Sequence, residues 1–388
     1  MSAGIFVWGL PGTRQITHTA APACHESNMP NQSMPDQPSI IVIGAGIIGA
    51  SLAYHLAKSG ARTTLIEGAE PGGIATRNSW AWINASWGNP EPYFRLRRQS
   101  MADWRRLAAE VPEIKVDWAG GLIWDLPRPE LEAYAAEHGS WGYGIRAVDG
   151  AEALRLEPAL SAPPDFALHV AEEGAVDPVA AALALVAAAR RYGAHLRRER
   201  VLSLDVEGGR VTGIATPSGR HRADTIVIAA GAETATLAAT ADVTVPMSTP
   251  PGLLVATRPH AKLLNGLVMS PLMHVRQLAD GSLLAGADFG GSDPGRDAAA
   301  TAAAVFAGLQ RLLKMGEALV YDRYQIGYRP MPADGFPILG PARPGLYLAM
   351  THSGITLAPI LGRFGTAEIL GAGRDPLLAP YSWDRLAA

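Results

Sequence analysis

Six consecutive residues, Gly44-Ala45-Gly46-Ile47-Ile48-Gly49, constrain this chain more than any other segment. They follow a β-branched run at 39–43 that suits a buried parallel strand, and they open a stretch at 47–59 that reads as a helix closed by Gly60. Residues 62–66 read as a second strand. Each glycine has a physical job: the tight turn, close approach of the backbone to a pyrophosphate, and close packing of helix on strand. The helix N-terminus adds unpaired N–H groups and partial positive charge for phosphates. Glu67, followed by Gly68, ends the second strand where an acid accepts hydrogen bonds from an adenosine ribose. Together these predict a βαβ unit that holds a dinucleotide. The competing reading is a glycine-rich turn without a ligand.

The same segment settles a membrane question. Residues 38–57 contain no Asp, Glu, Lys or Arg, and about 20 such residues span a bilayer as a helix. Here the uncharged length comes from a strand plus a helix, and the glycines at the turn interrupt any spanning helix, so no transmembrane segment is expected. The chain of 388 residues is 48% hydrophobic and 18% charged, long enough that its core divides, so two domains are the default. A formal charge of -3 without long basic tracts excludes nucleic acid and anionic membrane as expected partners. The single cysteine, Cys24, excludes an internal disulfide framework and a Cys-based metal site, which fits a reducing, cytoplasmic setting; attachment at a membrane periphery stays open. Residues 1–37 lack periodicity and read as a disordered N-terminal extension.

Farther along, Leu96, Trp104, Leu107 and Ala108 recur at helical spacing with arginines between them, which predicts an amphipathic helix over 93–111. Asp177-Pro178 is a helix start, with Asp as N-cap and Pro in the first turn, and the helix runs to about Tyr192. Strands are expected at 195–198, 201–206, 211–215, 225–230, 253–257, 274–278, 282–287 and 346–350. Helices are expected at 298–315 and 354–370. The position of the phosphate motif, with a later ladder of strands ending in Ala229-Ala230-Gly231, favours flavin over nicotinamide as the far end of the dinucleotide.

In order, Gly44 to Gly49, Glu67, Leu156-Glu157-Pro158, Ala229-Ala230-Gly231, Gly327-Tyr328-Arg329-Pro330 and His352-Ser353-Gly354 resemble the D-amino acid oxidase superfamily. Within it the glycine oxidase, sarcosine oxidase and D-amino acid dehydrogenase branch is most similar, from about residue 38 to the C-terminus. The resemblance implies an α/β fold: a Rossmann-type FAD-binding domain with a parallel central sheet (38–93, 161–245, 325–388), and a second α+β substrate domain with a largely antiparallel sheet (94–160, 246–324). It implies noncovalent FAD, because Gly327 stands where some relatives carry a flavin-linking cysteine and no histidine falls in the early loop.

It also implies site residues. Thr76, Arg77, Asn78 and Ser79 would lie along the flavin. The backbone of Val201 would contact the adenine, Ala230 and Gly231 would also contact the cofactor, and Gly354, Ile355 and Thr356 would open a helix toward the ring. Arg329 is the candidate anchor for a substrate carboxylate, since a guanidinium offers two parallel charge-assisted hydrogen bonds; a structural pair with Asp334 is the alternative. His274 and Phe289 would line the substrate pocket, His274 being equally readable as a structural residue. Trp80 and Trp82 narrow the flavin face or belong to the core. The turn at His352 lacks the second arginine of glycine oxidases. The implied activity is FAD-dependent oxidation of the C–N bond of an amino acid or secondary amine acid, with oxygen, a quinone or a protein taking the electrons. The alternative is an FAD-binding subunit of a hetero-oligomeric amine or opine dehydrogenase. No metal site is expected.

Overall fold

The computed structural model describes residues 37–386 except 87 and 288–290. Cys24, Phe289 and the expected extension, apart from Gln37, lie outside the described residues.

Strand Ser39–Ile43 pairs in parallel with Arg62–Glu67 on one side and Thr225–Ile228 on the other. His195–Arg198 and Leu346–Met350 extend this parallel sheet, and Ile338–Arg343 closes it antiparallel. Side chains of the central strands Ser39–Ile43, Thr225–Ile228 and Leu346–Met350 alternate between two buried faces, which is why these read as near-continuous apolar runs, whereas the edge strand His195–Arg198 does not. One face, with Ile40, Val42 and Leu65, meets helices Ile47–Lys58, Pro178–Arg191 and Gly354–Ile369. The other, with Ile41, Ile43 and Ile228, meets a small antiparallel sheet (Ser203–Glu207, Arg210–Thr216, Gly219–Arg222) and helix Thr234–Ala239. Asp177 caps its helix as expected, its carboxylate accepting from the N–H groups of Val179 and Ala180.

An eight-stranded, mainly antiparallel sheet forms the second layer. Val255, Ala285 and Val275 share one face and pack under helix Ala298–Leu312. Leu254, Leu284, His274 and Arg276 share the opposite face. That face belongs to the same apolar cluster as the helices of the parallel sheet, so it is turned toward the dinucleotide layer. Phe166–Val170 and Tyr321–Tyr328 pair into this second sheet.

Helix Glu91–Glu110 completes the last helix, Gly354–Ile369. Pro359 lies inside that helix and has no N–H to offer the carbonyl of Ile355 four residues earlier. Trp104 Nε1 donates to that carbonyl instead (2.9 Å), and Ser100 Oγ donates to the carbonyl of Thr356 (2.6 Å). Gly362 permits the close crossing over Ile47–Lys58, because a Cβ there would stand 2.1 Å from Ser51 Oγ. Among the described residues no helix is long and apolar enough to cross a membrane.

Candidate functional site

A cavity of about 800 Å³ lies between the ends of the parallel strands and the inner face of the second sheet. It falls within the size range of ligand pockets. The phosphate turn forms one wall, and the three glycines divide the work as their spacing implies. Gly44 has φ +100°, and a Cβ there would sit 2.5 Å from the carbonyl oxygen of Ala229. At Gly49 a Cβ would sit 1.9 Å from the carbonyl oxygen of Gly44, so only glycine allows this helix to meet its strand. Gly46 is different: the nearest atom to an added Cβ is Thr76 Oγ1 at 3.4 Å, so its open face is toward the cavity. That is the place where a pyrophosphate needs bare backbone.

Glu67 projects beside this turn. Its carboxylate accepts from the N–H of Ala45 (2.7 Å) and of Ala69 (2.9 Å), which fixes it while each oxygen retains a lone pair for a ribose hydroxyl. Thr76 Oγ1 accepts from the N–H of Ile47 (3.1 Å), so the Ile74–Arg77 helix caps the phosphate helix from across the cavity. These residues fit FAD: bare backbone for the pyrophosphate, an acid for the ribose, and a long cavity beyond.

The structure brings most of the expected residues to this one cavity. Gly44, Gly46, Ile47, Ile48, Glu67 and Gly68 line its dinucleotide end, with Val201, Ala230 and Gly231 facing them. Thr76, Asn78 and Ser79 line its middle, and Gly354, Ile355 and Arg329 the far end. Ala45, Gly49 and Thr356 stand behind the wall; Thr356 Oγ1 donates to the carbonyl of Trp82 (3.1 Å) and accepts from the N–H of Asn84 (3.3 Å). Arg77 is exposed and turns to the carbonyl of Pro71 (3.4 Å). Trp80 lines the cavity while almost wholly buried; Trp82 is packed in the core. Between them Ala81 has φ +61°, an uncommon conformation for a residue with a side chain, held by a hydrogen bond from its N–H to Ser79 Oγ (3.0 Å).

At the far end Arg329 is half-buried. One terminal nitrogen donates to the carbonyl of Pro251 (3.1 Å), and its Nε is buried without a hydrogen-bond partner among the described residues. Asp334 is paired with Arg385 (2.8 Å), not with Arg329. His352 shares this wall. Burial, then the nearby charges of Arg329 and Arg97, lower its pKa to about 4, so it is neutral at physiological pH.

His274 is not among the residues lining this cavity. It sits beside Trp80, ring centroids 5.9 Å apart, and its Nε2 is 2.7 Å from Asp125 Oδ2. Two further charged residues near this end were invisible to pattern reading. Arg97 lies among the arginines of an amphipathic helix yet is 6% exposed. Glu173 stands in a turn, is fully buried, and accepts from Trp82 Nε1 (2.9 Å), Tyr143 OH (2.5 Å) and Ser86 Oγ.

Known proteins share the family and the fold. An uncharacterised oxidoreductase, YurR, of Bacillus subtilis (strain 168) is 27% identical, covering 88% of this chain and 98% of its own. Glycine oxidase of Geobacillus kaustophilus is 29% identical, covering 91% of this chain and 98% of its own. The crystal structure of L-proline dehydrogenase from P. horikoshii has the same fold, with a TM-score of 0.81 at 23% identity over 91% of this chain and 99% of that one. Residues 39–368 match the family model for DAO, the FAD dependent oxidoreductases. The chain belongs to that family and is an FAD-dependent oxidoreductase acting on amines or amino acids.

Proposed function

We propose that the chain oxidises the C–N bond of a small amine acid whose carboxylate is held by Arg329, the substrate being a secondary or α-substituted amine acid rather than glycine. The observation that carries this reading is the Arg329 guanidinium at the far end of the cavity, which has no carboxylate partner among the described residues and whose buried Nε has no hydrogen-bond partner there. A buried donor without a partner costs about 1–3 kcal/mol, which a ligand carboxylate recovers in charge-assisted hydrogen bonds. Residues 44–49, Glu67 and Thr76 would hold FAD, which when bound supplies the two-electron acceptor.

The chain's own residues then bind and orient. Arg329 fixes the carboxylate, and Leu254 and Trp80 offer apolar wall that excludes water around the reacting carbon. Positive charge from Arg329 and from the N-terminus of the last helix favours the neutral amine, the form that can give up hydride. No protein base is required, and neutral His352 does not compete with Arg329 for the carboxylate. The imine product is released to hydrolyse in water. Lack of a second arginine in the His352-Ser353-Gly354 turn is the feature that disfavours glycine.

The test is an anaerobic screen of the FAD-loaded protein with sarcosine, glycine, D-alanine, D-proline, L-proline, hydroxyproline and opine-type imino acids, following loss of the flavin absorbance band. Bleaching by a substituted amine acid, with Arg329→Ala raising its half-saturating concentration at least tenfold, is expected. Unchanged affinity in Arg329→Ala refutes the anchor. Failure of every compound to bleach fully loaded protein refutes stand-alone oxidation of these amine acid classes and favours a subunit of a larger complex.

A further inference from the structure

One face of helix Glu91–Glu110 is devoted to the first turn of the last helix. Arg97, Ser100 and Trp104, spaced three and four residues apart, donate to Ser353 Oγ (2.7 Å), the Thr356 carbonyl (2.6 Å) and the Ile355 carbonyl (2.9 Å). Ser100 and Trp104 are neutral and complete a broken backbone ladder. Arg97 brings a full charge into a place that is 6% exposed.

Its remaining hydrogen bonds go to the carbonyl oxygen of Asn84 (3.2 Å) and to Asn84 Oδ1 (2.6 Å), and its guanidinium lies 5.3 Å from the Tyr93 ring centroid. All three hydrogen-bond acceptors are neutral. Among the described residues Arg97 forms no ion pair; Glu173 acts on it only through space, without a hydrogen bond, and its carboxyl, pushed up to about 7 by burial, is neutral below that pH. Neutral acceptors solvate a buried cation without cancelling its field. The helix it touches presents partial positive charge of the same sign at Gly354 and Ile355, on the cavity wall. Its charge is also felt at that wall by His352.

We propose that Arg97 is a positioning residue that raises the reduction potential of the bound flavin, its uncompensated charge acting through Ser353 and the first turn of the last helix. Hydride brings two electrons and one proton, so a neutral flavin gains one negative charge on reduction, and a nearby buried cation stabilises that charge. This rests on the reading that the flavin ring occupies the Gly354 and Arg329 end of the cavity.

Two variants of the FAD-loaded protein test it. Arg97→Gln removes the charge. Asn84→Asp leaves Arg97 in place and gives it a carboxylate partner of the same shape, so it carries the test if the first variant fails to fold. Sulfite, which donates an electron pair to the flavin and places negative charge on the ring, is titrated by absorbance, and the potential is measured by dye equilibration. Both variants are expected to hold FAD and bind sulfite about tenfold more weakly, with a two-electron potential about 30 mV lower for each tenfold, while Arg97→Lys stays near the parent. Sulfite affinity and potential within twofold and about 10 mV of the parent, alongside an Arg329→Ala variant that has lost substrate affinity, overturn the role of Arg97 alone. The same unmoved values alongside an unaffected Arg329→Ala variant overturn the reading of the site on which it rests.

Discussion

Glu173→Gln replaces a fully buried carboxyl by an amide of the same shape. Burial pushes the Glu173 carboxyl up to about 7, against the Ser86, Tyr143 and Trp82 hydrogen bonds and the Arg97 charge, which all pull it down. In the unfolded chain it titrates near its ordinary 4.5. The raised value means that its contribution to stability is complete below 4.5 and is lost as pH rises to about 7, because the unfolded chain ionises first. Over the whole interval the loss is about 3 kcal/mol, and between pH 5 and 8.5 it is about 2.5 kcal/mol. The amide satisfies the site without titrating: its oxygen accepts from Trp82 Nε1, and its NH2 donates to the hydroxyls of Ser86 and Tyr143, which rotate to accept. Urea unfolding of parent and variant at both pH values is the assay. Buried histidines cancel in the comparison, so the variant's stability relative to the parent should rise by about 2.5 kcal/mol from pH 5 to 8.5, which in a parallel thermal melt corresponds to about 3 °C in Tm for a chain of this size. A difference that is the same at both pH values refutes the claim that Glu173 is held neutral by burial.

Gly46→Ala and Gly49→Ala separate ligand room from packing. The first should fold with near-parent stability but lose FAD affinity, and the second should lose both, since its Cβ meets the Gly44 carbonyl at 1.9 Å; thermal melting and flavin retention read the two outcomes. Trp104→Phe removes the donor to the Ile355 carbonyl and should cost about 1–3 kcal/mol in denaturant unfolding, with no pH dependence. Gly327→Cys should weaken FAD binding rather than create a covalent link, because a Cβ at 327 would lie 2.6 Å from Asn78 Cβ and displace a residue of the cavity wall; release of free FAD on acid precipitation checks this.

The dinucleotide end was legible because its chemistry is local: the strand, turn, helix and acid are contiguous, and backbone geometry dictates their residue types. Helix Arg128–Ser140 was not anticipated. It buries only Leu131, Tyr134 and His138, a stripe too narrow and too polar to stand out as periodicity. Strands of three residues such as Leu267–Met269 and Gly174–Val176 are too short to show alternation. Arg97 was hidden for a different reason. Arginines on an amphipathic helix ordinarily mark the wet face, and only the tertiary crossing with the last helix turns this one inward. His274 and Glu173 depend likewise on partners, Asp125 and Tyr143, that are distant in sequence or set by loop packing.

The repair of the Pro359 break by Trp104 and Ser100 has a consequence for the order in which the protein is made. Donors and acceptors here are about 250 residues apart in the chain. The phosphate turn is complete once its first strand pairs are, but in the wall beside Gly354 the Ile355 carbonyl lacks its usual donor, because residue 359 is proline, and gains one only when helix Glu91–Glu110 docks on it. A nascent chain still lacking its final segment therefore carries the phosphate turn without the Gly354 and Ile355 part of the cavity wall. A premature stop near residue 350 removes Thr351, His352, Gly354 and Ile355 from the cavity wall while leaving Gly44, Gly46, Glu67 and Thr76, so such a chain is expected to lose FAD affinity although its phosphate turn is present.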